Sequence, residues 1–577
     1  MWNDEGRQST TMPRRTSRRR FLVGGAGVTG SAAFLFACGG GSKNNAGNAG
    51  AAGNTGSAKP AASAAGGQAK ATAAAETPKP GGILTQVFFT DPSPNLDMHQ
   101  TTTYTAVWPL SPCFNQLVQF DTTKPDDAQQ DIVADLAEKW EQPDDTSTVF
   151  TLRKDAKWHD GADFTSEDVK ATLEWLKKPF KPDRPSPRSG TQVTVDEVQV
   201  PDPYTVKVKF SRPTASYIMN LATAYFAMGQ SKDLHDNGEI GANGKLIGTG
   251  PFKLKNYQRA NITEVEKNPA YHIAGRPYLD GIKSFILPDY TTRLTNLIAG
   301  QYHIFFASEF VKTDQERVKQ EAGGKYDTFS IPGFNHETVF MNATRMPYKD
   351  MRVRQAISLA MDRDAAINVV KQGQARRGAY MAPQGVWAIG EAELRAYDGY
   401  DKPDVQKAKQ LLQAAGVTTP LDASATSRTD FQTFAEFVKD QLAKIGINLK
   451  LTLADTATAQ PVLIRGDFDI GPWTIGINVD DPDATFSEIA ISKAARNWSH
   501  VYDDQIDQLY DKQSATFDFQ ERKKIVQDLE RRALSQYQVA VLYFQASNHA
   551  LAKSVRNYVI HQSLYSNRRM DQVWLKT

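Results

Sequence analysis

Ile247-Gly-Thr-Gly-Pro-Phe252, followed by Lys267-Asn-Pro-Ala-Tyr271 and Arg276-Pro-Tyr-Leu-Asp-Gly281, is the stretch from which the fold is read. Gly248 and Gly250 ahead of Pro251 predict a tight turn that uses the positive φ open to glycine, and Phe252-Lys-Leu-Lys-Asn-Tyr257 then alternates as a strand. Upstream, four segments follow one another closely. Ile132-Val-Ala-Asp-Leu-Ala-Glu-Lys-Trp140 is helix-like, and Thr148-Val-Phe-Thr-Leu-Arg153 alternates as a strand. Lys157-Trp-His-Asp-Gly161 carries an Asp-Gly turn, and Phe164-Thr-Ser-Glu-Asp-Val169 opens a helix with Thr165 and Asp168 in a capping-box arrangement. His159 beside Asp160 invites a catalytic reading, but a turn accounts for both and no nucleophile stands near. Val198-Gln-Val200 and Tyr204-Thr-Val-Lys-Val-Lys-Phe210 read as a β-hairpin.

Ile83 to Phe89 at the start of the body is a strand candidate, Ile282 to Leu287 is another strand, and Thr291 to Ala299 is a helix with Gly300 just past its end. Asp350-Met-Arg-Val-Arg-Gln-Ala-Ile-Ser-Leu-Ala-Met-Asp-Arg363 places Val353, Ile357, Ala360 and Met361 at helical spacing, with Asp350 as N-cap. Two more helices end at Gly416 and Gly446, and Ile447-Asn-Leu-Lys-Leu-Thr-Leu453 is a strand. Helices alternating with strands imply an α/β protein. A chain of 577 residues exceeds one ordinary core, so two or more lobes are expected.

The charge balance excludes a nucleic-acid binder. Of the formal net charge of +2, residues 1–37 supply six arginines against two acids, which leaves the remainder at −2. That N-terminal segment reads as an address. Ser17-Arg-Arg-Arg-Phe-Leu22 resembles a twin-arginine export signal, the run Phe21 to Ala37 is too glycine-rich to be a membrane span, and Leu35-Phe-Ala-Cys38 resembles a lipobox whose cysteine is lipidated. Gly25-Ala-Gly27-Val-Thr-Gly30 matches a dinucleotide fingerprint in letters only, because no strand precedes it. Residues 39–80 are almost wholly Gly, Ala, Ser, Asn, Lys, Pro and Thr, a composition that predicts a disordered tether reaching roughly 35 Å. With Cys38 lipidated, Cys113 has no disulfide partner and reads as a small buried side chain.

The succession from Ile132 to Val169, together with Gly248-Thr-Gly-Pro-Phe252, resembles the family-5 extracellular solute-binding proteins that serve peptide, nickel and related ABC importers. The resemblance implies a two-lobed type II-like (cluster C) periplasmic-binding-protein fold, with mixed sheets flanked by helices and two hinge crossovers. Lobe 1 would comprise residues 81–333 and 545–577, with an inserted subdomain at about 120–230, and lobe 2 residues 334–544. One departure is Tyr302-His-Ile-Phe305, where His303 replaces the family's acid. In peptide-binding relatives the stretch from a Trp like Trp473 lies along the ligand, and an Asp shortly after it neutralises the peptide amine. Here Asp481-Pro-Asp483 aligns only if two residues are inserted, so the amine position falls at Asn478, or at Ile475 or Gly476, with Asp480 as a substitute carboxylate.

The ligand-binding candidates are therefore Tyr104, Trp108, Asn335, Trp387, Trp473, Thr474, Ile475, Asn478, Asp480 and Trp498, with ordinary core packing as the alternative for every aromatic among them. The first expectation is a monomeric, exported, lipid-anchored binder of oligopeptides that partners ABC permease subunits. An uncharged oligosaccharide is the alternative cargo and a hydrolase a distant third. No metal motif such as HExxH occurs, and neither GxSxG nor a P-loop is present, so no cofactor is expected. His99, His336 and His500 would bind nickel or haem only if the fold united them.

Overall fold

Two long antiparallel strands, Tyr326–Met341 and Val539–Ala552, form the spine of a nine-stranded mixed sheet in the computed structural model. The described residues are 76–576 apart from 93–94, 102, 124–130, 178, 182–183, 186, 242–243 and 495, so the export signal, Cys38 and the tether up to residue 75 lie outside them. On one side of the spine come Ile304–Phe306, Ile83–Phe88, Gly281–Ile286, Ile262–Lys267 and Phe252–Gln258 in that order, and on the other side Ile470–Ile475 is the edge strand. Ile83–Phe88 pairs parallel with Gly281–Ile286.

Pairing along the spine shifts register twice, by a single residue between Glu337 and Thr338 and over a longer break between Pro332 and His336. Tyr326–Pro332 faces Ala546–Ala552, His336–Phe340 faces Val539–Phe544, and the register shifts between Pro332 and His336. At the break Gly333 passes so close to its neighbour that a side chain there would lie 2.9 Å from the Gln545 carbonyl. The apolar cores divide at the same place. Two are drawn from Leu84 to Tyr326 and from Ala550 to Val573, with Val479 alone added from the other side, whereas two others are drawn from Phe334 to Phe544.

Helix ends follow the sequence closely. Asp350 caps Met351–Ala360 by accepting from the Arg352 N–H, Asp404 caps Val405–Ala414, and Gly300, Gly416 and Gly446 adopt positive φ just past their helices. The capping reading at Thr165 also holds, since its N–H donates to Asp168 Oδ2 at 2.9 Å.

Two expectations are corrected. Ile132 to Trp140 is not helical: Ile132–Ala134 pairs with Val118–Phe120, and Ala137–Asp144 pairs with Ser147–Leu152 in a separate four-stranded sheet. The neighbouring strand supplies a ladder that outweighs the local helical pattern. Gly248 and Gly250 are not at positive φ either. They are glycines because the chain packs against Pro112–Phe114: a Cβ on Gly248 would lie 1.9 Å from the Cys113 carbonyl oxygen, and one on Gly250 2.3 Å from the Cys113 carbonyl carbon. His159 locks this junction. Gly248 N–H donates to its Nδ1 (3.2 Å) and its Nε2 donates to the Gly250 carbonyl (3.1 Å), while burial pushes its pKa down to about 4 and keeps the ring neutral. The two motifs, some ninety positions apart, are thus one corner of the scaffold. Cys113 lies inside that corner, fully buried as a free thiol.

Candidate ligand-binding site

From Trp473 to Val479 the chain alternates in burial with period two. Trp473, Ile475, Ile477 and Val479 are at most 4% exposed, whereas Thr474, Gly476 and Asn478 are half-buried on the opposite face. An extended chain sends successive side chains to opposite sides, and here the apolar set packs inward. Trp473 meets Trp498 edge-on at 5.9 Å, and Trp498 meets Phe340 at 5.2 Å. Ile470–Ile475 pairs with the spine, His336 opposite Ile475, which fixes which side is which.

Thr474, Gly476 and Asn478 on the half-buried face are uncharged. A Cβ on Gly476 would lie 3.1 Å from the Tyr565 hydroxyl and 3.5 Å from Asn335 Oδ1, so Asn335, Gly476 and Tyr565 converge. Ser563 Oγ donates to the Asn478 carbonyl, and Thr474 Oγ1 to that of His336 at 3.3 Å. The Tyr565 ring stacks on Tyr225 at 5.3 Å, and the buried Arg188 guanidinium lies 3.6 Å from the centre of the Tyr225 ring. Burial pushes the pKa of the Tyr565 hydroxyl up and Glu488 adds to the rise, against the pull of Arg496, Arg188 and Arg428. Arg428 stands at the end of the Leu421–Arg428 strand paired with Asp430, and Arg496 pairs with Glu488 at 3.4 Å. Tyr104 and Trp108 join from the same side as Tyr565: Trp108 Nε1 donates to the Leu564 carbonyl (2.8 Å), and Tyr104 packs on Phe306 at 5.0 Å.

Asp480 points elsewhere. Its carboxylate is 4% exposed and lies against Gly385, where a Cβ would come within 2.2 Å of Oδ2. Oδ2 accepts from Val386 N–H at 3.2 Å, its carbonyl accepts from Trp387 Nε1 at 2.8 Å, and Oδ1 is buried with no partner. Burial pushes its pKa up to about 7 against the pull of the Val386 N–H, with the nearby carboxyls of Asp481 and Glu530 adding to the rise. Asp481 next to it caps the Pro482–Ile489 helix and forms a two-bond pair with Arg522 at 3.0 and 2.9 Å.

With this geometry in place, the family model described as bacterial extracellular solute-binding proteins, family 5 (middle), matches residues 131–497. The chain belongs to that family. Among family-5 relatives, the glutathione-binding protein GsiB of Salmonella choleraesuis (strain SC-B67) is 28% identical over 56% of this chain and 60% of its own length, so the match spans less than two thirds of that protein. The dipeptide-binding protein of Escherichia coli (strain K12) is 27% identical over 85% of this chain and 92% of its own. A solved periplasmic binding protein, AgaA of A. tumefaciens R10 in complex with agropinic acid, superimposes with a TM-score of 0.75 at 26% identity, covering 86% of this chain and 99% of that one. The fold is of the type II periplasmic-binding-protein kind, and the family consists of extracellular solute-binding proteins rather than enzymes. Among the described residues no helix is long and apolar enough to cross a membrane.

Within this family-5 chain the ten candidates separate by place. Asn335, Thr474 and Asn478 lie on one polar face, and Tyr104 and Trp108 adjoin it through Leu564 and Tyr565. Trp473, Ile475 and Trp498 sit in the apolar core, and Trp387 packs on Phe519 and above Arg522. Tyr565, Tyr225, Arg188, Arg428 and Arg496 escaped the sequence reading, because they come from five separate segments and carry no local motif. Of the histidines, His99 bonds the Ala227 carbonyl through Nε2 (2.7 Å), His336 is buried against Phe544, and His500 stands beside Tyr502. No group of three or more His, Cys, Asp or Glu side chains able to hold a metal occurs among the described residues.

The raised pKa of Asp480 makes a pH-dependent prediction. An unfolded aspartate titrates near about 3.9, so this group binds its proton more tightly in the folded state. Its contribution to stability is complete below about pH 4 and is lost as pH rises to about 7. Asp480→Asn imitates the protonated form. The melting temperature of the variant is expected to exceed that of the wild type by about 2 °C or more at pH 8, with the gap closing by pH 4.5. A gap that stays constant from pH 4.5 to 8 would show that Asp480 does not titrate in this range.

Proposed function

We propose that this family-5 protein is an exported lipoprotein that encloses a peptide-like solute between two lobes and delivers it to the permease of an ABC importer. The observation that carries the reading is the edge strand Ile470–Ile475 and the chain that continues it to Asn478, where Thr474, Gly476 and Asn478 turn towards Asn335 and Tyr565. An edge strand accepts an extended peptide as an added strand, with backbone bonds giving affinity and side pockets giving choice. The relatives that bind dipeptide and glutathione support a peptide cargo, and the one solved with agropinic acid supports a class that extends beyond simple peptides. Because the carboxylate near this face, Glu488, is paired with Arg496 and Asp480 is sealed under Gly385, neutral groups such as Asn335 and Asn478 would hold the amino end of the solute.

The lobes in this reading are residues 81–333 with 545–577, and 334–544. The break in spine pairing at Gly333 and the division of the apolar cores support that boundary, and the separate sheet from Ala137 to Phe210 supports an inserted subdomain at about 120–230. Tyr565 and Asn478 already lie side by side in the structure, Ser563 Oγ donating to the Asn478 carbonyl, and opening about the two crossovers would part them to admit the ligand. Cys38 and the Gly/Ala-rich tether would hold the body near the membrane, and the protein would act as a monomer that retains its solute without chemical change.

Native mass spectrometry of protein purified from its producer tests this reading. A one-to-one complex with a peptide-sized solute, released intact on denaturation, is the expected result, and free and N-acetylated forms of that solute should bind within about threefold of each other, since no buried ion pair is at stake. Chemical conversion of the solute, or retention of a sugar in its place, would overturn it.

A further inference from the structure

Five residues beyond Asn478, Asp483 lies 8% exposed where the segment 211–221 meets the helices Pro482–Ile489 and Asp504–Ser514. Its Oδ1 accepts from Gln513 Nε2 and Ser514 Oγ, and Arg522 Nη2 stands 4.0 Å from Oδ2. These three partners belong to residues 334–544. Oδ2 accepts from Ser216 Oγ, which belongs to residues 81–333 and is itself buried. Beside it the Ala215 N–H donates to the Ser514 carbonyl at 2.9 Å, a second bond across the same joint. A third contact, Arg212 with Asp511 at 2.8 Å, has side chains 42% and 64% exposed, and a pair so open to water contributes little.

The chain from Asn478 to Asp483 is held by the two sides in turn. The Asn478 carbonyl accepts from Ser563, and Val479 joins the apolar core that begins at Leu84. Asp480 is covered by Gly385 and Val386, Asp481 pairs with Arg522, and Asp483 meets Ser216. The stretch that carries Asn478 on the solute face is therefore also the stretch that joins the lobes. A carboxylate oxygen taken out of water needs a donor in its place. With the lobes apart, water reaches Oδ2; with the lobes together, Ser216 Oγ replaces it.

We infer that Ser216 and Asp483 form the clasp that holds the two lobes closed, and that Ser216 is a positioning residue for solute retention, acting through the balance between closed and open forms. The inference rests on the two-lobe reading above. Removing the Ser216 hydroxyl penalises the closed form alone, because only there does Oδ2 lose a partner that water cannot restore.

Hydrogen-exchange mass spectrometry of the full chain, prepared free of solute, tests it. Opening of the lobes exposes two amides together: Ala215, whose acceptor is Ser514 across the joint, and Tyr565, whose N–H donates to Ser563 Oγ (3.1 Å) beside the solute face. In Ser216→Ala both are expected to exchange at least about tenfold faster than in the wild type. Ser514→Ala removes a bond to the same carboxylate from within one lobe, where it is present in open and closed forms alike. That variant should melt at a lower temperature yet keep both exchange rates within about twofold, and Arg212→Met, at the surface pair, should also keep them within about twofold. Faster exchange at Ala215 alone would mean that the segment 211–221 frays locally. Unchanged rates in Ser216→Ala, or equal acceleration in Ser514→Ala, would make Asp483 an ordinary structural acid. Each of these results would overturn the clasp and leave the lobes standing. Protection of both amides at the level of Val541 in the spine, in every variant, would overturn the lobes and the clasp together.

Discussion

Gly250→Ala is expected to destabilise the protein by about 3 kcal/mol or more, read as a fall in melting temperature of about 6 °C or more. The added Cβ would stand 2.3 Å from the Cys113 carbonyl carbon, 2.4 Å from Phe114 N and 2.6 Å from the Pro112 carbonyl oxygen. All three are backbone atoms, which cannot swing aside as a flexible side chain can. Relief by moving the Gly250 strand would stretch its N–H bond to Cys113 (3.0 Å) and the bond that His159 donates to its carbonyl. Gly190→Ala is the control, because its φ is not positive and a Cβ there meets nothing within 4 Å. Circular dichroism melts of both variants check the contrast, and equal shifts would mean that the close approach at Gly250 is not limiting.

Gly476→Leu is expected to weaken capture of the native solute by about 100-fold or more, while the ligand-free protein melts within about 2 °C of the wild type. The residue is not at positive φ, so a side chain brings no backbone strain. Its Cβ would stand 3.1 Å from the Tyr565 hydroxyl and 3.5 Å from Asn335 Oδ1, so the rest of a leucine would stand in the way of a solute that reached for either. Ile475→Leu supplies the contrast. That side chain is fully buried in the core, so its exchange should change stability and leave affinity nearly as it was. Titration of each variant with the solute recovered from the native protein reads the difference. Unchanged affinity in Gly476→Leu would remove the edge strand from the binding site.

The helices at Met351–Ala360 and Val405–Ala414, with their Asp caps and glycine ends, are legible in the order of residues alone, because those signals act within one or two turns of the chain. So are the hairpin Val195–Asp202 with Thr205–Phe210 and the family-5 signature. The segment Ile132 to Trp140 misleads, since its state depends on strands elsewhere that offer it hydrogen bonds.

The site divides along the same line. That the stretch from Trp473 to Asp480 matters is visible in its order of residues; which of them face the solute is not. Alternation leaves two possible faces, and only pairing with the spine and the packing of Trp473 on Trp498 turn Thr474, Gly476 and Asn478 outward. Asp480 looks in sequence like an available counter-ion, and the fold covers it with Gly385 and Val386, more than ninety positions upstream. Thus sequence alone determined the family, the α/β elements and the region of interest, all of which rest on local periodicity and short motifs. Only the tertiary structure decided why Gly248 and Gly250 must be glycine and which charges surround Tyr565, because burial and close approach are set by residues that the chain brings together from far apart.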